Sequence, residues 1–357
     1  MKPDMRTKRI GRAAFVRAAC LCGCLLLFSA AFAAPPKPLQ IYFIDVEGGQ
    51  STLLVDPEGE SLLIDAGWPD FDGRDANRIV KAAKEAGIDH IDYMVVTHYH
   101  MDHVGGVPQL VERMKIDAFV DHGPNREHSS ETRTAYADYV KAVGKTTRIT
   151  VKPGDQIPFK GMNVQVVTSD GEEIQEPLPG AGQPNPLCQT VPEVPADPSE
   201  NARSVGLLVT FGKFRFIDLG DLTIRKEIAL ACPKNVIGTV DLYLITHHGT
   251  AHPGSGDSSN AREIVEALHP RVAIMNNGAL KGGHPVAWQT VHDSPGLEDL
   301  WQLHYSIAGG DEHNSPQQFI ANISTTDDGY FIMVAAEPNG TFTVVNSRNN
   351  HKKTYKK

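Results

Sequence analysis

Apolar runs of four to eight residues, each bounded by polar or turn residues, recur along the chain and predict β-strands. Other segments have apolar residues at helical spacing, such as the one in which Ile79, Val80, Ala83 and Ala86 share one face and Gly87 ends the helix. The predicted strands cover residues 39–46, 51–55, 61–64, 91–96, 118–120, 148–151, 162–167, 204–210, 213–217, 240–246 and 272–275, and the predicted helices cover 75–86, 107–114, 131–143, 223–230 and 258–268.

Strands alternate with helices in both halves of the chain, which predicts an α/β fold of two similar halves packed face to face. One stretch departs from this order, because residues 168–200 contain seven prolines and cannot form a helix or a central strand. A loop of this length is either a lid over a functional site or a surface excursion held by Cys188. Residues 330–345 predict a C-terminal hairpin, and the basic end after it, 351–357, is expected to fray.

The stretch 97–103 follows a predicted buried strand and contains four residues of metal-ligand type. Alternation along an extended backbone places His98 and His100 on the same side, and Asp102 and His103 follow on the turn. Imidazole nitrogens and carboxylate oxygens suit Zn²⁺, and also Mn²⁺ or Fe, with positions left open for water. The alternative is a surface loop that is rich in histidine by chance. Four residues of metal-ligand type within six positions favour a metal site.

This His-x-His-x-Asp-His pattern resembles the signature of the metallo-β-lactamase-fold hydrolases, whose αββα sandwich of four layers holds one or two metal ions at one edge. The order of the remaining motifs is most similar to the extracytoplasmic domain of the DNA-uptake competence proteins (ComEC type). The resemblance covers most of residues 40–290 and implies a single domain over residues 34–357. The matching pieces are Phe43-Ile44-Asp45-Val46 with Gly48-Gly49-Gln50, Leu63-Ile64-Asp65, the histidine loop, Asn201-x-x-Ser204, Gly220-Asp221, His247-His248-Gly249-Thr250 and Gly283-His284-Pro285.

The resemblance also implies roles for individual residues. The implied metal ligands are His98, His100, Asp102, His103, Asp221 and His247. Asp221 corresponds to an aspartate that often bridges two ions. His247 is the first choice for the last ligand, while His248 or His284 is the alternative in that role or a proton donor. Asp65 is implied to hold the ligand loop through hydrogen bonds without binding the metal itself.

The chain departs from the superfamily pattern at one position. Many members carry a further histidine that completes the ligand set of the first ion, but no histidine lies between His128 and His247. Asn201 stands where the competence-type branch carries asparagine, and we assign it to the residues around the ligands. An amide oxygen binds Zn²⁺ more weakly than imidazole does, so one ion and two ions both remain open.

The implied mechanism is metal-assisted hydrolysis with a metal-activated water. Asp102 would hold or deprotonate that water, and His248 or His284 would protonate the leaving group. The competence-type resemblance implies a phosphodiester substrate. Two alternatives are kept: a lactonase or ester hydrolase of the same fold, and a non-catalytic exported protein that binds metal. Fold similarity alone does not decide among these substrates.

The first 33 residues have the features of an export signal: a basic stretch ending at Arg17, an apolar stretch, and Ala31-Phe32-Ala33 before Ala34. The apolar stretch spans about 15 residues, fewer than the ~20 that a membrane-spanning helix needs. We therefore expect cleavage between Ala33 and Ala34, no stable membrane anchor, and a location in the periplasm or outside the cell.

Charge and cysteine content bear on the substrate class and on the state of the thiols. Six basic residues and one acidic residue lie in the first 33, so the remaining chain has a net charge of −14. Such an acidic chain lacks the basic footprint of a general nucleic-acid binder, which favours a small-molecule or phosphodiester substrate. Only Cys188 and Cys232 remain after cleavage, and they form either a disulfide, which an oxidising compartment favours, or two free thiols.

Overall fold

The first half of the chain alternates strands and helices in the computed structural model, which describes residues 37–191, 193–325 and 328–357. The predicted signal peptide, residues 1–33, lies outside the described residues. The elements of this half are β1 Leu39–Phe43, β2 Thr52–Val55, β3 Ser61–Ile64, α1 Arg74–Ala86, β4 His90–Val95, α2 Met101–Val104, α3 Val107–Val111, β5 Lys115–Asp121, α4 Ser130–Val143 and β6 Thr147–Thr150.

The second half repeats this alternation and ends in three antiparallel strands. Its elements are β7 Gln156–Ile157, β8 Asn163–Ser169, β9 Glu172–Glu173, β10 Gly206–Phe211, β11 Phe214–Asp218, α5 Ile224–Ala231, β12 Leu242–Leu244, α6 Arg262–Leu268, β13 Val272–Met275, α7 Pro285–His292, β14 Asp299–His304, β15 Ile320–Asn322, β16 Ile332–Ala336, β17 Phe342–Asn346 and β18 Lys352–Tyr355.

The described residues form two nine-stranded sheets. The first has the order β18-β17-β16-β1-β2-β3-β4-β5-β6, and the second has the order β15-β14-β13-β12-β11-β10-β8-β7 with β9 paired to β8. Strands β3 to β6 run parallel, as do β11 to β15. The loops after β3, β4, β11 and β12 carry the predicted site residues except Asn201, which precedes β10, and His284, which follows β13. The carboxyl ends of parallel strands are where α/β folds place their sites.

Alternation along the strands gives each sheet two different faces. In β1, Ile41 and Phe43 pack into the core between the sheets, whereas Tyr42 packs with α1 on the outer face. Phe43 meets Phe216 of the second sheet edge to face, with ring centroids 5.7 Å apart, and each buried side chain of this size stabilises the fold by about 1.5–3 kcal/mol. The outer face of the second sheet packs similarly on α5, α6 and α7. The layers are therefore helix, sheet, sheet, helix, and the predicted αββα fold is confirmed.

The C-terminal end differs from its sequence-based prediction. Residues 352–355 do not fray but form β18, which pairs with β17. The buried side chain of Tyr355 explains this. Its hydroxyl donates to Asp299 at 2.5 Å, and its ring stacks on the ring of Phe342. Sequence analysis also missed α7, β14 and β15. In β14 and β15 the short apolar runs adjoin polar residues, Gln302 and Asn322, that the fold buries.

The proline-rich loop 168–200 is pinned in two places. Its middle lies beside the end of α5, where Cys188 and Cys232 form a disulfide with Cα atoms 5.6 Å apart, and Leu178 N donates to Val236 O at 2.9 Å. Its end approaches the loop after β12, since a Cβ on Gly256 would lie 2.9 Å from the carbonyl oxygen of Pro195. The loop is thus a surface excursion along most of its length. None of the helices in the described part of the chain is both long and apolar enough to cross a membrane.

We expect the disulfide to stabilise the fold by closing a loop between residues 44 positions apart. Replacing Cys188 and Cys232 together by serine should lower the free energy of unfolding by about 2–4 kcal/mol, because the unfolded chain regains loop entropy. Urea unfolding measures this. A reductant should lower the stability of the wild type but not of the variant; equal stability of the two proteins would contradict the prediction.

Candidate metal centre

The ligand loop, residues 97–103, begins directly after β4. His100 keeps an extended backbone, and α2 starts at the next residue, so Asp102 and His103 lie on its first turn. The turn after β1 packs closely on this loop. A Cβ on Gly49 would lie 2.3 Å from the carbonyl oxygen of Asp102, and Gln50 N donates to the same oxygen at 3.0 Å. Only glycine fits at this close approach.

Four buried side chains converge at the sheet edge: Asp102, His103, Asp221 and His248. Their candidate ligand atoms all lie within 4.8 Å of one another. His248 Nε2 is 3.2 Å from Asp102 Oδ2 and 3.3 Å from Asp221 Oδ1, and His103 Nε2 is 3.2 Å from Asp221 Oδ2. Two imidazole nitrogens and two carboxylate oxygens are a donor set that Zn²⁺, Mn²⁺ or Fe accepts.

A second pair of histidines adjoins this group. His98 Nε2 and His100 Nδ1 lie 3.1 Å apart, and Asp221 Oδ2 is 4.0 Å from His98 Nε2. His247 Nε2 also approaches Asp221 Oδ2, at 3.4 Å. The carboxylate of Asp221 therefore stands between the group of four and the histidine pair, which is where a carboxylate shared by two ions would lie.

Two further carboxylates orient the rings. Asp65 Oδ2 lies 2.7 Å from His103 Nδ1, and Glu127 Oε2 lies 2.9 Å from His100 Nε2. A carboxylate can only accept, so each of these nitrogens carries its hydrogen and leaves the other ring nitrogen free as a donor to a metal. The free nitrogens are those that face the cluster, His103 Nε2 and His100 Nδ1.

The electrostatics of the centre favour a cation. Burial opposes ionisation of Asp102, but the charge of Lys281 and, without a metal ion, that of protonated His103 hold the pKa of Asp102 well below its usual range. Burial likewise opposes ionisation of Asp221, and without a metal ion the protonated forms of the surrounding histidines hold its pKa low. Two ionised carboxylates among imidazoles, all shielded from solvent, are compensated best by a metal ion. The residues present therefore fit the metal that the resemblance implies.

The structure separates the three candidates for the last ligand. His248 belongs to the group of four, whereas His247, the first choice from the sequence, contacts Asp221 from the side and Ser259 Oγ at 3.3 Å. Both have a left-handed backbone, with φ of 54°. The ring of His284 caps α7, with Nδ1 3.3 Å from Val286 N, and faces His252 rather than the group of four.

Sequence analysis did not identify two residues that lie near the centre, Lys281 and Glu127. Lys281 Nζ contacts Asp102 Oδ2, donates to Gly48 O at 2.9 Å and lies over the ring of Trp68. Its position inside a glycine-rich turn was the one available signal. Glu127 lies 27 residues from His100, and no local pattern marks it.

Other clusters of ligand-type residues are poorer candidates. Asp45, Glu47 and His304 also come together, but Arg78 Nη1 lies 3.1 Å from Asp45 Oδ2 and already supplies a positive charge. The third cluster, around His90, is partly exposed and lies at the beginning of β4, whereas the ligand loop follows the end of that strand. The centre around Asp221 is therefore the best metal site in the described residues.

Comparison with known proteins gives one family match and several partial relatives. The family model described as the metallo-beta-lactamase superfamily matches residues 45–186. A UPF0173 protein of Pyrococcus abyssi is 24% identical over 236 residues, 66% of this chain and 83% of that protein. A hydroxyacylglutathione hydrolase of Rhodopseudomonas palustris is 34% identical over 84 residues, 23% of this chain and 32% of that enzyme. The solved structure of Tm1679, a metal-dependent hydrolase of the β-lactamase superfamily, has a TM-score of 0.44 at 17% identity, covering 74% of this chain and 95% of that one.

The family match, the αββα layers and the ligand loop together support the metallo-β-lactamase superfamily for this chain. The chain has the metallo-β-lactamase fold, and hydrolases are among its relatives. The closer resemblance to the competence proteins stays a prediction.

Alanine variants of the three histidines distinguish their roles. His248→Ala should weaken metal binding by more than about 100-fold, the upper end of what removing a residue outside the ligand set costs, because its Nε2 lies within the group of four. His284→Ala is the matched control and should bind metal as the wild type does. Metal content per chain, measured by elemental analysis after dialysis without chelator, checks this. Loss of metal in His247→Ala with retention in His248→Ala would reverse the assignment.

Stability should depend on pH through Glu227, which lies behind the turn that carries His247 and His248. Burial raises the pKa of Glu227 from 4.5 to about 7, although its carboxylate accepts from Ala261 N at 2.9 Å. Because the folded pKa is the higher one, the wild type loses stability as pH rises from about 4.5 to 7, by up to about 3 kcal/mol.

Glu227→Gln removes this titration, so the free energy of unfolding of the wild type relative to the variant should fall over that pH window. Urea unfolding at pH 4.5, 6 and 8 measures the difference. Glu312→Gln, at an exposed position, is the matched control and should track the wild type at every pH. Parallel curves for wild type and Glu227→Gln would contradict the prediction.

Proposed function

We propose that this protein is an exported metal-dependent hydrolase and that its substrates are small phosphodiesters. The observation that carries the hydrolase proposal is the buried group of Asp102, His103, Asp221 and His248, with the pair His98 and His100 on the other side of Asp221. A carboxylate shared between two neighbouring donor sets suits two ions that act on one substrate.

The metal would supply an activated water and polarise the electrophile. The chain's own residues position and protect this chemistry. Asp102 is buried and tied to Lys281, so its carboxylate is held in a fixed place beside the donor nitrogens, where it can accept a proton. Lys281 is about one-third exposed and provides a positive charge at the edge of the centre, where it can stabilise negative charge on a substrate or leaving group.

Two features support a small phosphodiester. The order of motifs resembles that of the competence-type branch, and Lys281 places a cation beside the carboxylate of Asp102. The net charge of −14 outside the first 33 residues disfavours long nucleic acids, because a polyanion gains affinity from an extended basic surface. The disulfide and the signal-like N-terminus support export to an oxidising compartment.

The second candidate is an ester or thioester hydrolase of the same fold. The hydroxyacylglutathione hydrolases of Rhodopseudomonas palustris and Stenotrophomonas maltophilia support it, at 34% and 28% identity over 84 and 102 residues. These matches span about a third of each enzyme. A non-catalytic metal-binding protein is the third candidate and would bind metal without turning over either class of substrate.

One assay series tests the proposal. The full chain is expressed with its N-terminus, and the mature protein, whose mass should begin at Ala34, is assayed with Zn²⁺ or Mn²⁺ on bis-p-nitrophenyl phosphate and on lactone and thioester substrates. We expect phosphodiester turnover that a chelator abolishes and added metal restores. Asp221→Ala should lower kcat/KM at least about 1,000-fold, because it removes a group shared by both donor sets.

Asp138→Ala is the matched control, since this aspartate is exposed on α4 and is not one of the donor residues. It should retain wild-type activity and metal content. Turnover of thioesters or lactones but not of phosphodiesters would favour the second candidate. Bound metal with no turnover of any substrate would favour the binding protein.

A further inference from the structure

The histidine pair His98 and His100 lacks the further imidazole that many members of the superfamily have. The two facing nitrogens, His98 Nε2 and His100 Nδ1, lie 3.1 Å apart, with Asp221 as the nearest carboxylate. The sequence contains no histidine between residues 128 and 247 that would complete this set. Apart from His247, which approaches Asp221 at 3.4 Å, a further ligand would therefore come from a different kind of side chain.

Asn201 is a buried amide whose orientation is settled by its neighbour. The residue is 5% exposed, and its Nδ2 donates to Asp257 Oδ1 at 2.8 Å. A carboxylate accepts hydrogen bonds only, so the amide must present its NH₂ group to Asp257 and turn its oxygen away. That oxygen, Oδ1, is buried and has no hydrogen-bond partner among the described residues. Leaving such an acceptor without a partner destabilises the fold, so a partner is expected at this place.

The residues on both sides of Asn201 contact the groups that hold the histidine pair. On one side, Glu200 N donates at 3.0 Å to Glu127 Oε2, the carboxylate that orients His100. On the other side, Ser204 N donates to the carbonyl oxygen of Asn201 at 3.2 Å.

Ser204 then connects this turn to Asp221 and His98. Its Oγ accepts from Asp221 N at 3.2 Å and lies 3.4 Å from His98 Nδ1. The backbone on both sides of Asn201 is therefore tied to His98, His100 and Asp221. These ties bring the turn that carries Asn201 next to the pair that lacks a ligand.

Asp257 reaches the amide from the loop after β12. Its backbone N donates to Ser255 Oγ at 3.3 Å, and the preceding residue, Gly256, packs against the carbonyl oxygen of Pro195 in the proline-rich loop. A side chain at Gly256 would meet that oxygen at 2.9 Å. The proline-rich loop thus supports the segment that presents the Asp257 carboxylate.

We propose that Asn201 Oδ1 is a ligand of the ion held by His98, His100 and Asp221, and that Asp257 is the positioning residue that turns the amide oxygen toward it. This inference rests on the proposed metal-dependent function. An amide–carboxylate pair then replaces the missing imidazole. Because a neutral amide oxygen is a harder and weaker donor than imidazole, this position should bind Zn²⁺ less tightly than the group of four and should accept Mn²⁺ readily.

Metal binding itself tests the inference, without reference to activity. The mature protein is titrated with Zn²⁺, Mn²⁺ and Co²⁺, with stoichiometry from equilibrium dialysis and elemental analysis and ligand environment from the Co²⁺ absorption spectrum. The wild type should bind one ion tightly and a second more weakly. Asn201→Ala should keep the tight ion and lose the second. Asp257→Ala should keep both but weaken the second by at least about 10-fold, as loss of a residue that orients a ligand does.

Asn163→Ala and Asp138→Ala make the same chemical changes at exposed positions and should bind both ions as the wild type does. Thermal unfolding of each variant with one ion bound verifies that it is folded. If misfolding affects Asn201→Ala, Asn201→Asp is used instead; this variant keeps an oxygen donor and should retain the second ion with altered affinity.

Each outcome separates the two proposals. A wild type that binds two ions, with both affinities unchanged in Asn201→Ala, overturns the ligand role of Asn201 and leaves the hydrolase proposal standing. Loss of the second ion in Asn201→Ala with unchanged binding in Asp257→Ala overturns the positioning role of Asp257. A wild type that binds no ion at all overturns the metal-dependent function and this inference with it.

Discussion

The position of the ligand loop in the metal centre depends on the hydrogen bonds that the carboxylate of Asp65 accepts. Fully buried after β3, it accepts from Thr97 N at 2.8 Å and Thr97 Oγ1 at 2.6 Å, and lies 2.7 Å from His103 Nδ1. These contacts join the end of β3 to both ends of the ligand loop after β4. They also decide which nitrogen of His103 faces the cluster. A buried carboxylate is costly to leave unpaired, so the loop conformation that satisfies it is strongly preferred.

The second constraint is the meeting of the two sheets at one edge. Asp218, at the end of β11, accepts from Gln50 Nε2 at 2.9 Å, a buried contact between residues 168 positions apart. The turn after Asp218 brings Asp221 to the ligand loop, and Gly220 has φ of 57° with Thr97 directly beside it. The donor set is therefore complete only when both halves have packed on their common core. Folding and the assembly of the metal centre are consequently linked.

Residues outside the donor set orient and charge-balance the side chains within it. Glu127 orients His100 and receives Glu200 N, so one carboxylate fixes both a ring and the turn beside Asn201. Lys281 balances the charge of Asp102. The Lys281 contact helps to keep the buried Asp102 ionised at the sheet edge.

The sequence by itself predicted an α/β fold, because strand and helix periods are local, and the ligand loop, because His98, His100, Asp102 and His103 lie within six consecutive residues. The αββα layers were implied by the family resemblance of that loop. Only the tertiary structure decided that His248 rather than His247 joins the group of four. Both residues have a left-handed backbone, and no local pattern predicts which ring then faces inward. Glu127, Lys281 and the ordered strand at the C-terminus were also beyond prediction, since each depends on partners brought together by the packing of distant strands.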